Sequence, residues 1–328
     1  GNSNEKYFSA ALDTVVGFRK ELMAEPADEA GFFNYSGEEV RKLFPCSSYY
    51  EAAMRFFYER FGGYDYSGRS SENAKRCLDE MLSASEGHPS SEIYAQCLIN
   101  AGRSDDAALG VYEGLLKKYP SEKACVWPEA ERIQIYYDRA CAAKPQKEAD
   151  FLKVKEMCEK AVAKYGKSSY RERIENIRKS MEEKSMSFNV GKDGEPSGFF
   201  YPGDEVPCSI GFKNIEEVRI TLYKIADYAE PLFDFTDKGQ SEAYLRTKAK
   251  AVRTVTLSGL KAGYGVTGTK ECSLKVEEPG NYVLAARPFA AGNAGFGKAA
   301  LQALDGGRQT ECLQFRVSAI ATAFRQRG

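Results

Sequence analysis

A chain of 328 residues with 43% hydrophobic, 12% aromatic and 28% charged side chains has the makeup of an ordinary soluble protein with apolar matter for more than one core, which argues against intrinsic disorder. Its 46 basic and 47 acidic residues leave a net charge of −1, so no global field draws it onto nucleic acid or an anionic membrane. No apolar run approaches the roughly 20 residues that span a bilayer.

The opening Gly1-Asn2-Ser3 lacks an initiator Met and reads as a processed or trimmed start, so location is not legible from it. From Glu5 to Ala24, Phe8, Leu12, Val15, Val16, Phe18 and Leu22 recur at helical intervals, and Pro26 marks the stop. After a Gly- and aromatic-rich connection, helices are expected over Ser48–Phe61, Glu72–Ser85, Ser90–Ala101, Asp105–Tyr119, Pro128–Ala143 and Glu148–Tyr165. Gly62-Gly63, Gly87-His88-Pro89, Gly102, Pro120, Lys144-Pro145 and Gly166 punctuate them.

The hairpin from Gly102 through Tyr112, Leu115 and Leu116 to Pro120 resembles a tetratricopeptide repeat, with a weaker echo at Ala161–Gly166. The period is irregular, so the expectation is a short TPR-like solenoid, a surface for peptides or a rigid spacer. A last helix, Ser169–Met186, packs Ile174, Ile177 and Met181 on one face. Its Arg171, Arg173, Arg178 and Lys179 alternate with Glu172 and Glu175 as a solvated face.

Beyond Ser187 the apolar period changes from about 3.6 to 2. Alternation runs through Val206, Cys208, Ile210 and Phe212; Val218, Ile220 and Leu222; Cys272, Leu274 and Val276; and Tyr282, Leu284 and Ala286. Further strands are expected at Met186–Val190, Val252–Ser258 and Cys312–Ser318, giving an immunoglobulin-like antiparallel β-sandwich. The fold class is therefore multidomain α and β, with a TPR-like helical domain over 1–184 and the sandwich over 185–328.

Nine cysteines, an odd number with no CxxC pair, disfavour zinc sites. Cys208 and Cys272 share the inward parity of their strands. They can pair across the core or serve as small buried hydrophobes, and two free thiols is the favoured reading.

Tyr201-Pro202-Gly203-Asp204-Glu205-Val206-Pro207, the following Phe212–Ile225 stretch and Glu278-Pro279-Gly280-Asn281-Tyr282-Val283-Leu284 resemble the first macroglobulin domain of bacterial alpha-2-macroglobulin-like proteins. The order of helical segment, charged helix and sandwich is similar too. The resemblance implies an extracytoplasmic, periplasmic or cell-envelope protein, of which this chain is the N-terminal portion, with Ala319–Gly328 leading to a next domain. It implies a structural and recognition role and a protease as the ultimate partner, although the family's Cys-Gly-Glu-Gln thioester motif is absent here.

Competing chemistry is weaker. Gly292-Asn293-Ala294-Gly295-Phe296-Gly297-Lys298-Ala299 satisfies the glycine-lysine spacing of a phosphate loop, but Ala299 has no hydroxyl for magnesium and the neighbouring pattern is antiparallel. It reads as a Gly-rich loop. The single histidine, His88, sits in an interhelix turn without a nucleophile in view. Asp234 to Gly239 reads as a polar turn rather than a calcium site. The cluster Tyr49, Tyr50, Phe56, Phe57, Tyr58, Phe61, Tyr64 and Tyr66 reads as helix-interface packing. No catalytic, cofactor-binding or metal-ligating residue is assigned, and no cofactor. The expectation is a non-enzymatic chain with a protein or peptide partner, no nucleic acid and no transmembrane segment, or alternatively a free-standing adaptor.

Overall fold

The computed structural model describes residues 2–27, 37–59, 72–191, 199–225, 244–245, 247–288 and 311–317. Within them the helices are α1 (Asn2–Gly17), α2 (Arg19–Ala24), α3 (Glu38–Leu43), α4 (Tyr49–Phe57), α5 (Glu72–Ala84), α6 (Pro89–Asn100), α7 (Asp106–Lys118), α8 (Val126–Ala142), α9 (Glu148–Lys164) and α10 (Ser169–Glu182). The strands are β1 (Ser185–Val190), β2 (Phe199–Phe200), β3 (Glu205–Lys213), β4 (Glu217–Ile225), β5 (Ala249–Ser258), β6 (Thr267–Lys275), β7 (Gly280–Pro288) and β8 (Glu311–Val317).

Local chemistry sets several helix ends. Ser48 caps α4 by accepting from the Glu51 amide, while the Glu51 carboxylate accepts from the Ser47 amide at 2.8 Å, a close variant of the reciprocal capping box. Asp105 caps α7 by accepting from the Ala108 amide at 2.8 Å, and Lys117 and Lys118 complement the dipole at its other end. Pro89 opens α6 at a position whose amide has no intrahelical partner. Gly102 stops the hairpin turn with φ +73°, a backbone shape that side chains resist.

Two helical expectations need correction. The single helix from Glu5 to Ala24 is interrupted at Phe18 (φ −96°, ψ 18°), directly after Gly17, and becomes α1 and α2. The last helix stops at Glu182 rather than Met186, which belongs to β1. The connection before Ser48 also holds α3, whose six residues are too few for a period to register.

The chain forms two compact units: residues 1–140 with 153–178, and residues 141–152 with 179–328. In the first, buried Leu12, Met54, Met81, Ile93, Tyr112, Ile133 and Ile174 form the apolar interior of the helices. Each such side chain contributes about 1.5–3 kcal/mol on removal from water.

In the second unit, β1-β3-β6 form a three-stranded sheet and β2-β8-β7-β4-β5 a five-stranded one, antiparallel except where β2 runs parallel to β8. Val206, Cys208, Ile210 and Phe212 of β3 and Val218, Ile220 and Leu222 of β4 turn into one core shared by both sheets, with Leu284 and Ala286 of β7. The outer face of β7 is covered as well, because Val283 and Ala285 pack with Ile225 and Leu245. Each strand expected from alternation is present. The segment 141–152 is tied to this unit by the Glu148 carboxylate, which accepts from the Tyr264 amide at 2.8 Å, and by the Gln146 amide oxygen, which accepts from the Thr267 amide at 2.9 Å. The coarse architecture is a helical region and two face-to-face, mainly antiparallel sheets.

Candidate functional site

The motifs with chemical potential in the sequence are dispersed. The glycine-rich stretch 292–299 and Asp234 to Gly239 lie outside the described residues, as do Phe61, Tyr64 and Tyr66. His88 is exposed at the N-terminus of α6, where its side chain makes no capping bond and its carbonyl accepts from the Glu92 amide. Among the described residues no group of three His, Cys, Asp or Glu is arranged to hold a metal, and no helix is long and apolar enough to cross a membrane.

In the helical unit the aromatic and charged residues are joined in struts. Tyr50, fully buried, donates to Glu80 at 2.6 Å, and Glu80 also meets Arg19 at 3.0 Å. Burial first, then that hydrogen bond, pushes the Tyr50 hydroxyl above its ordinary range. Tyr94 donates to Glu59 at 2.8 Å, and Tyr119 donates to Glu92, which also pairs with Lys118. Buried Arg55 lies 4.0 Å from the Tyr94 ring centroid and donates to the Phe44 carbonyl at 2.6 Å. Trp127 donates to Glu131 at 3.2 Å, and Arg173 closes on the same carboxylate at 2.6 Å. Of the expected solvated basic face, Arg173 is thus engaged with Glu131, and Arg171 with Glu175 at 3.1 Å. Phe57 meets Phe8 of α1 at 5.4 Å and Tyr50 reaches Glu80 of α5, so these two members of the aromatic cluster join helices.

The sheets offer a different kind of surface. Strand β5 stands at the end of the five-stranded sheet, paired on one side with β4, and no described strand pairs with its other side. The register slips opposite Leu222 and Tyr223, leaving Val252 as an extra, bulged residue that is 55% exposed. Over its ten residues β5 carries Lys250 and Arg253 and no carboxylate, and neither cation forms an ion pair among the described residues. The adjacent Lys224 is instead engaged by Glu278 at 2.6 Å. That contact holds the Glu278 carboxyl below its usual range, with Lys250 adding to the field. A row of backbone amides and carbonyls with no partner strand among the described residues, flanked by Lys250 and Arg253, can take an extended anionic segment.

Periodicity identified β5 only from Val252 onward, because the bulge puts Ala249–Ala251 out of phase. That it is an edge is a matter of strand order, which alternation does not encode. The signal available in the sequence is a strand that carries Lys250 and Arg253 and no carboxylate.

No family model and no curated protein matches the chain. Among solved structures, an alkylpurine DNA glycosylase, AlkC of Pseudomonas fluorescens bound to DNA containing an abasic-site analogue, is 11% identical over 82% of this chain and 71% of its own, with a TM-score of 0.22. The soluble domain of PmoD from a Methylocystis species is 14% identical over 40% of this chain and 90% of its own, with a TM-score of 0.19. At these scores neither likeness supports an argument about fold or chemistry.

The resemblance to alpha-2-macroglobulin-like proteins is corrected by the comparison with family models, none of which matches the chain. The physical reason lies in what its motifs encode. Tyr201–Pro207 and Glu278–Tyr282 are a turn entering an alternating strand, and here they build the start of β3 and the Glu278–Tyr282 entry to β7. Any antiparallel sandwich needs such pieces. The extracytoplasmic location and the protease partner were implied by that resemblance alone.

Proposed function

We propose that this chain is a non-enzymatic protein-binding module that accepts an extended, acidic segment of a partner protein along the open edge of β5. In this reading the helical hairpins are a short, irregular tetratricopeptide-like array serving as scaffold, and the sheets are an immunoglobulin-like sandwich that presents the edge. The observation that carries it is β5, exposed at most of its ten residues, with Lys250 and Arg253 unpaired among the described residues and no carboxylate on the strand. Main-chain pairing supplies affinity in such an arrangement, and the two cations select against basic segments.

The test is titration with a peptide of alternating Glu and Val, with a Lys–Val peptide as control. Binding of the acidic peptide alone, weakening with added salt and slowing hydrogen exchange across Ala249–Ser258, is the expected result. Charge reversal with Lys250→Glu and Arg253→Glu is expected to weaken it by about tenfold or more. Equal binding of both peptides, or binding that leaves β5 exchange unchanged, rejects the reading.

A further inference from the structure

Strands β3 and β6 place Cys208 directly opposite Cys272, and their sulfurs are 2.8 Å apart. The register settles which kind of cross-strand site this is. The Pro207 carbonyl accepts from Gly191, so Pro207 directs its backbone away from β6. Its neighbour Cys208 therefore directs its own backbone toward β6. The same phase holds further along, where the Val276 amide donates to the Asp204 carbonyl. The cysteines thus occupy a hydrogen-bonded pair, where Cα atoms stand about 5.5 Å apart. That is inside the roughly 4.4–6.8 Å a disulfide tolerates.

We infer that Cys208 and Cys272 are a reversible dithiol–disulfide site on the face between the sheets, oxidised by exchange with a low-molecular-weight disulfide. This pair is already within about 0.8 Å of a covalent S–S length. The two sulfurs differ in access and in charge. Cys208 is 3% exposed on the central strand, whereas Cys272 is half-buried on the edge strand β6. The hydrogen bond from Cys208 lowers the Cys272 thiol below its ordinary value, while the same bond and burial raise Cys208. Cys272 is then the attacking sulfur and Cys208 the resolving one.

The chemistry balances without a further reactant. The Cys272 thiolate attacks one sulfur of R–S–S–R, forming a mixed disulfide and expelling one thiolate, which takes the Cys208 proton. Cys208 then attacks the Cys272 sulfur, closing the protein disulfide and expelling the second R–S group as thiolate. Two protein thiols lose two electrons, and the external disulfide is reduced to two thiols. Spanning a hydrogen-bonded pair of neighbouring strands in a packed core constrains the link, and constrained links are the readily reduced ones.

The test uses the full chain equilibrated in graded mixtures of glutathione and glutathione disulfide, quenched with acid, alkylated and mapped by mass spectrometry. A Cys208–Cys272 cross-linked peptide that forms at the oxidising end and disappears at the reducing end is expected. Cys208→Ser is expected to trap a glutathione adduct on Cys272, and Cys272→Ser to leave Cys208 unmodified. The wild-type map decides alone if either variant fails to fold. Absence of the cross-link at the oxidising end, or a stable adduct on Cys272 in the wild-type chain, overturns the inference.

Discussion

Asn214 donates its side-chain amide to the Met181 carbonyl at 2.7 Å, so a residue in the β3–β4 turn closes the end of helix α10. It also donates to the Glu183 carbonyl at 3.2 Å, its oxygen accepts from the Gly265 amide at 3.2 Å, and Lys213 beside it donates to the Ser180 carbonyl at 2.6 Å. The last carbonyls of a helix have no intrahelical donors, and here a cation and an amide satisfy them. Asn214 holds φ +56°, the left-handed region that Asn tolerates better than most residues.

Asn214→Gly keeps that backbone shape but removes the hydrogen bonds. A loss of about 1–2 kcal/mol in urea unfolding is expected. Asn214→Ala adds left-handed strain, and its further loss of about 1 kcal/mol relative to Gly separates conformation from capping.

Gly265 has φ +72°, and a Cβ there would stand 2.9 Å from the ring of Phe151, which is 1% exposed. Gly265→Ala is expected to destabilise by about 1–3 kcal/mol, because the neighbour it meets is a buried ring with little room to retreat. Phe151→Leu in the same background should recover part of that loss. An equal loss in the presence and absence of the ring would show that backbone conformation alone is responsible.

Trp127 is the one tryptophan of the chain, and it donates to Glu131. Glu131→Leu removes the acceptor for both the indole and Arg173, with an expected loss of about 1.5–3 kcal/mol. Tryptophan fluorescence reports the change directly, and an emission spectrum identical to wild type would contradict the role assigned to that carboxylate.

Burial pushes the thiols of Cys46, Cys77 and Cys158 up to about 12 and that of Cys125 up to about 11, from an ordinary 9.0. Groups that hold their protons more tightly when folded contribute stability that is fully present below the unfolded value and lost as pH rises through the folded one. Stability of the helical unit should therefore decline between about pH 9 and 12. Cys141, which is exposed, should be alkylated at pH 8 well before these four. Alkylation rates followed by mass spectrometry check the order.

Much of the sheet region was legible because one physical fact, the two-residue period of a half-buried strand, recurs in Val206–Phe212 and Val218–Leu222. The inward parity of Cys208 and Cys272 followed from the same pattern. Their direct opposition did not, because register depends on which strands meet. The end of α10 was misplaced for a related reason: its caps come from a residue 33 positions away, and no local signal near Met186 announces them. Two-residue β2 and six-residue α3 are too short for any period to show. At the candidate binding edge, the residues of β5 could be read but its place at the end of the sheet could not.

The association of residues 141–152 with the sheets, while 153–178 join the helices, makes both units discontinuous in the chain. No single cut yields either one whole. On a ribosome, the helical unit waits for residues as late as 178, and the sheet unit begins with a stretch synthesised before the helical unit is finished. Inheritance faces the same constraint: a one-point recombination that exchanged the sheets would leave their Glu148 and Gln146 anchors behind with the old partner, so the two units are expected to be inherited as a pair.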